Sequence, residues 1–154
     1  MTTAGTSAGI QTPQPEPVRA GYQTITPYLT VQRAEQLVDF VKTAFDGVEV
    51  FRTTGSAGGL HAEVTIGESK LMIGGYENVE EKPTALHLYV ADADAVYQRA
   101  LAAGGTSLEE PVDQFYGDRN AAVEDPAGNQ WWIATHVEDV SPGEMERRAK
   151  EQLK

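Results

Sequence analysis

The sequence predicts an α+β domain made of two tandem βαβββ modules, because alternating and helical apolar periods follow one another as strand, helix, strand, strand, strand, and then do so again. Two further observations support that reading. The halves overlay at one constant spacing, that of Val31 from Val90: Ala34 falls on Ala93, Val41 on Ala100, Ala62 on Ala121, Val64 on Val123 and Met72 on Trp131. A chain of 154 residues with 40% apolar side chains also has the material for one core, and two would be cramped.

The elements follow in order. Residues 1–20 are rich in Thr, Ala, Gly, Gln and Pro, a composition that buries too little surface to offset its ordering entropy, so a disordered leader is expected. The domain is placed at 21–140, with modules at 21–80 and 84–138 and a tail at 141–154. A first strand is expected over 22–31, with Ile25, Leu29 and Val31 on its buried face and Pro27 marking an edge or an irregularity. From Arg33 the period changes, and Ala34, Leu37, Val38, Val41, Ala44 and Phe45 form one helical stripe that ends at Asp46-Gly47. Strands are expected at 48–53, 60–66 and 70–73, separated by turns at Gly58-Gly59 and Gly67-Glu-Ser69.

The second module opens with a strand at 85–90. Asp92 caps a helix with the stripe Ala93, Val96, Tyr97, Ala100 and Leu101, closed by Gly104-Gly105. Strands are expected near 107–110, 120–124 and 130–135, the last two joined by the hairpin signal Asp125-Pro-Ala-Gly-Asn129. Ser141-Pro-Gly-Glu144 is a capping box with Pro at the first helical position, so 144–153 should be a terminal helix.

Composition narrows the function. The formal charge of −11 disfavours nucleic acid and anionic lipid, which need a basic surface. No window holds the roughly 18 apolar residues of a membrane span, and the first residues lack the basic and apolar regions of an export signal, so a cytoplasmic location without membrane contact is expected. With no cysteine, disulfides, thiolate metal sites and cysteine nucleophiles are excluded, and three histidines with the carboxylates remain as common ligands.

Pro27-Tyr-Leu-Thr-Val31, Val38-Asp-Phe40, Ala44-Phe45, His61-Ala-Glu63, Asp113-Gln-Phe-Tyr-Gly-Asp-Arg119 and Asp125-Pro-Ala-Gly-Asn-Gln-Trp-Trp-Ile-Ala-Thr-His136 together resemble the PhnB-like branch of the vicinal oxygen chelate superfamily, which includes glyoxalases, bleomycin-resistance proteins and dioxygenases. The resemblance runs from about Tyr22 to Val140. It implies two modules whose mixed sheets curl into a concave cup, helices outside, commonly in a homodimer. It leaves the reaction open, since that scaffold hosts lyases, dioxygenases, epimerases, thiol transferases and non-enzymatic drug binders.

Metal-dependent relatives chelate a divalent ion from the first and last strands of each module. Carried onto this chain, those positions are Thr26, Ile73, Ala85 and Trp132, none a usual ligand, so no metal or other cofactor is expected at the usual site. Strand alternation aims Thr26, Tyr28, His61, Glu63, Ala85, His87, Tyr89, Asn120, Glu124 and Trp132 away from the helices, into the cup. His61, Glu63, His87 and Glu124 are candidates for acid–base work or a relocated divalent metal, or are simply hydrogen-bonded polar groups. Tyr28, His61, His87, Phe115 and Trp132 are candidate ligand contacts, with Trp131 in the core because adjacent strand residues face opposite sides. Arg119 either anchors an anionic ligand or pairs with Asp118 or a dimer neighbour. His136 is read as structural. Two functions remain: a metal-free binder of a small apolar or aromatic molecule, and a lyase, isomerase or dioxygenase.

Overall fold

The computed structural model describes residues 14–78 and 80–153. The first module is β1 (Tyr28–Val31), α1 (Ala34–Phe45), β2 (Val48–Thr54), β3 (Leu60–Ile66) and β4 (Ser69–Gly75); the second is β5 (Ala85–Tyr89), α2 (Ala93–Ala102), β6 (Thr106–Asp113), β7 (Asp118–Glu124) and β8 (Gln130–His136). Helix α3 (Pro142–Gln152) closes the chain. Each module forms its own four-stranded mixed sheet, in the orders β1-β4-β3-β2 and β5-β8-β7-β6. In both, the first strand runs parallel to the last, and the other pairs are antiparallel. The α+β class and the repeated βαβββ order are therefore those the sequence predicts. No helix among the described residues is long and apolar enough to cross a membrane.

One apolar cluster holds both modules together. It takes Leu29 and Val31 from β1, the predicted stripe of α1, Ala62 and Val64, Leu71 and Ile73, then Ala93, Val96, Tyr97 and Ala100 of α2, and Trp131 and Ile133 of β8. Phe40 is also buried, although it lies outside the α1 stripe. The reason is tertiary: α1 packs on α2 as well as on its own sheet, and the Phe40 ring lies against Gly105, where a Cβ would come within 3.2 Å of it. Phe45 meets Trp131 at 4.6 Å between ring centroids, and Arg99 of α2 donates to the Ala44 carbonyl near the end of α1. Asp92 caps α2 as expected, its carboxylate accepting from Ala95 N–H.

The first strand is shorter than expected. It begins at Tyr28 rather than near residue 22, and Ile25 is exposed. Pro27 has no N–H to contribute to a ladder, although its carbonyl still accepts from Met72 N–H. Upstream the chain turns, Tyr22 N–H donating to the Arg19 carbonyl. Residues 1–13 of the expected leader lie outside the described residues, whereas the side chains of Arg19 and Tyr22 both contact Glu63. Strand β6 runs longer than expected and carries two irregularities in its pairing with β7.

The register corrects the overlay of the halves by one residue. Leu29 pairs with Ile73, and its counterpart Leu88 pairs with Ile133, so Met72 corresponds to Trp132 rather than to Trp131. The cause is in the hairpins. Gly67 and Glu68 make a two-residue turn after Ile66, whereas Asp125 N–H donates to the Asn129 carbonyl across residues 126–128, with Gly128 at φ 89°. Because side chains alternate along a strand, one extra residue moves the expected position from the buried Ile73 to Met72 on the opposite face.

Candidate functional site

The helices cover one face of each sheet and leave the other free. On the first sheet's free face stand Tyr28, His61 and Glu63, with Met72 paired between Tyr28 and Glu63 in register, and Phe51 opposite Glu63 on β2. Glu63 is only 2% exposed, yet it carries a carboxylate. Its oxygens accept from both terminal nitrogens of Arg19, at 3.2 and 3.1 Å, and from the Tyr22 hydroxyl, and lie 3.2 Å from His61 Nε2. Tyr28 lies across Gly74, where a Cβ would displace its hydroxyl, and reaches Tyr76 Oη at 3.2 Å and His61 Nδ1 at 3.5 Å. Partial desolvation of the half-exposed ring, and then the contact with Tyr76, push the Tyr28 phenol up to about 12, so it is protonated at neutral pH. The His61 ring bridges the two aromatics, 5.8 Å from Tyr28 and 6.3 Å from Phe51.

The second sheet's free face is built differently. His87 and Trp132 are cross-strand partners, and His87 stacks edge-on with Tyr89 at 4.7 Å. Tyr89 donates to Asp118, and Asp118 holds His136 Nδ1 at 2.8 Å while Asp139 holds Nε2 at 2.8 Å. Asn120, 3% exposed, donates to the Tyr116 hydroxyl, and its side-chain amide oxygen is buried with no hydrogen-bond partner among the described residues. Phe115 packs edge-on against Tyr116 in the β6–β7 turn, and its carbonyl accepts from Arg148 of α3. Glu124 ends β7, paired in register with Gln130.

Tyr28, His61 and Glu63 thus form one cluster, and His87 and Trp132 belong to another; among the described residues no side-chain hydrogen bond or ring contact joins the two. Arg119 stands apart from both. It lies on the helix side of β7, donating to Asp94 of α2 at 2.6 and 2.9 Å and to Asp113 at 3.1 Å. Of the alternatives for Arg119, pairing with Asp118 does not form, since neighbours along a strand point to opposite faces. Sequence reasoning missed Arg19, Tyr22 and Tyr76, which complete the first cluster from outside the strands that carry it. It placed Tyr89 and Asn120 on the free face but gave them no partners.

His136 gives the second face a titratable link. Its hydrogen bonds to Asp139 and to Asp118 raise its pKa above the ordinary histidine value, because both carboxylates favour the imidazolium. With a raised folded value, the link is fully present below the ordinary histidine range and is lost as pH climbs through the raised midpoint. An NMR titration should place the His136 midpoint above the ordinary value and bring it down in Asp139→Asn. Equal midpoints in the two proteins would show that Asp139 does not hold the charge.

The corrected register changes the donor chemistry at the positions that the family resemblance marks as chelating. Thr26, Met72, Ala85 and Trp132 supply a hydroxyl, a thioether, a methyl group and an indole, and Thr26 already donates to the Gln23 carbonyl. Divalent ions of this class need imidazole or carboxylate, so these side chains do not fit one. Among the described residues no group of three or more His, Asp or Glu could hold a metal ion elsewhere.

Comparisons with known proteins agree with the architecture. Residues 21–133 match the model of the Glyoxalase/Bleomycin resistance protein/Dioxygenase superfamily. Uncharacterized proteins of Mycobacterium bovis and Mycobacterium tuberculosis are each 36% identical over 135 residues, which is 79% of this chain and 89% and 79% of theirs. Among solved structures, TioX from Micromonospora sp. ML1 superposes with a TM-score of 0.62 at 22% identity, covering 73% of this chain and 98% of that one. The PhnB protein from Bacillus cereus does so with 0.61 at 21% identity, covering 73% and 99%. The two-module fold, its strand order and the matched span agree, and the chain belongs to the Glyoxalase/Bleomycin resistance protein/Dioxygenase superfamily.

Proposed function

We propose that this protein binds a small, largely apolar or aromatic molecule on its helix-free sheet faces, without a divalent metal, as a cytoplasmic homodimer of the PhnB-like branch. The observation that carries the reading is the replacement of the chelating side chains by Met72 and Trp132, an apolar pair where a metal-dependent relative needs donors. Aromatic side chains supply contact area beside them: Tyr28, Phe51 and Tyr89 are 45%, 47% and 65% exposed in the single chain. Apolar surface left open in this way favours a second copy over solvent, so light scattering should give about twice the chain mass of 16.7 kDa. A mass near that of one chain at micromolar concentration would count against the dimer.

The binding test is Trp132→Ala, assayed by fluorescence titration and thermal shift against aromatic antibiotics and α-keto metabolites. Trp131, buried in the core, remains as the reporter of folding. Losing one stacking partner should weaken a bound aromatic about tenfold, and chelator treatment should leave its binding unchanged. Unchanged affinity in the variant moves the site elsewhere, and loss of binding on chelation overturns the metal-free reading.

A second reading, a metal-free lyase or isomerase, is favoured by the 3.2 Å contact between His61 and the buried Glu63, a geometry suited to proton transfer. Catalysed proton exchange from α-keto substrates, abolished in His61→Gln, would establish it in place of simple binding.

A further inference from the structure

Glu63 is a buried carboxylate whose positive partner sits on the outside of the fold. Arg19 is 64% exposed and belongs to the described stretch before β1, residues 14–27, which has no helix or strand, whereas Glu63 is 2% exposed at the centre of β3. Taking a carboxylate out of water costs several kcal/mol unless a cation and hydrogen bonds replace the solvent. Tyr22 and His61 supply hydrogen bonds, and Arg19 supplies the fixed charge through a two-pronged contact. Among the described residues Arg19, Tyr22 and His61 are its side-chain partners. If the Arg19 segment lifts, the carboxylate loses its fixed positive partner and is open to another cation.

Aromatic groups lie around that charge. Tyr28, Phe51 and the His61 ring stand on the same sheet face, and Tyr22 carries the Arg19 guanidinium over its own ring at 4.3 Å. A planar cation fits such surroundings twice over, by charge at Glu63 and by cation–π contact with the rings. We infer that Glu63 is the binding carboxylate for a guanidinium, amidinium or ammonium group of an aromatic ligand, and that Arg19 occupies this site as an intramolecular stand-in which the ligand displaces. The inference rests on the proposed binding of small aromatic molecules at the sheet faces, and names the charge of the molecule taken by the first face.

The probes are benzamidinium and its uncharged relative benzamide, titrated by NMR into the full chain. Benzamidinium should bind Arg19→Ala about tenfold more tightly than the unmodified protein, because the competing internal cation is gone, and Glu63→Gln about tenfold more weakly. Benzamide should bind all three alike. In the unmodified protein, benzamidinium should also speed hydrogen exchange at the backbone amides of residues 19–23, and benzamide should not; this arm stands even if Glu63→Gln fails to fold. Equal benzamidinium affinity in the Arg19→Ala and unmodified proteins, or exchange at 19–23 that benzamidinium leaves untouched, overturns the inference. If benzamide and the neutral aromatic panel bind while benzamidinium shows no dependence on Arg19, the inference falls and the binding reading stands. If no aromatic compound binds at all, both fall together.

Discussion

Replacing Asp125 by Ala should lower the unfolding free energy by about 3–4 kcal/mol, a loss large enough to bring a domain of this size close to its threshold. Asp125 is 4% exposed. One carboxylate oxygen accepts from Ala127 N–H at 2.8 Å and Asn129 N–H at 3.0 Å, and the other accepts from the Trp131 indole N–H at 2.8 Å. Alanine would strand all three donors in a dry interior, where an unpaired polar group costs about 1–3 kcal/mol, partly offset by entering water. The effect would spread, since Trp131 packs on Phe45 across the boundary between modules. Urea unfolding followed by tryptophan emission tests it, and a loss below about 1 kcal/mol would mean that the turn is held by its backbone alone.

Gly59→Ala should be the most damaging single-methyl addition, destabilising by about 3 kcal/mol. A Cβ on Gly59 would overlap the Gly75 carbonyl oxygen and lie 2.6 Å from the carbonyl carbon. Both are backbone atoms, so no rotamer change relieves the clash, and the ends of β3 and β4 would have to part. Gly58→Ala is the matched control. Its φ of 87° strains an alanine, costing about 1–2 kcal/mol, but no atom lies within 4 Å of the added methyl. Thermal unfolding of the pair separates crowding from backbone strain, and equal losses would show that Gly59 is needed for its conformation only.

The order of elements was legible because each period reports burial against a local partner. Leu29 and Val31, the α1 stripe and Ala121 with Val123 all lie where alternation and helical spacing place them. What failed to show was set by distant partners. Phe40 breaks the α1 stripe because Gly105, in the turn between α2 and β6, lies against its ring, and Arg119 faces Asp94, twenty-five positions away along the chain. The candidate site was legible by face and not by partner: Tyr28, His61 and Glu63 do share a face, but their closure by Arg19, Tyr22 and Tyr76 depends on irregular segments flanking β1 and β4, whose path alternation does not specify. The one-residue slip in β4 came from turn length, since the two-residue and three-residue hairpins are each compatible with the flanking strands.

The separateness of the two sheets has a consequence for how such a chain can change over generations. No strand of one module pairs with a strand of the other. An insertion such as the extra residue across 126–128 is therefore absorbed inside a single hairpin, and the facing half keeps its own register. Duplicated halves insulated in this way can drift independently. In this chain the two equivalent faces hold a buried acid beneath an arginine on one side and an indole beside a histidine on the other.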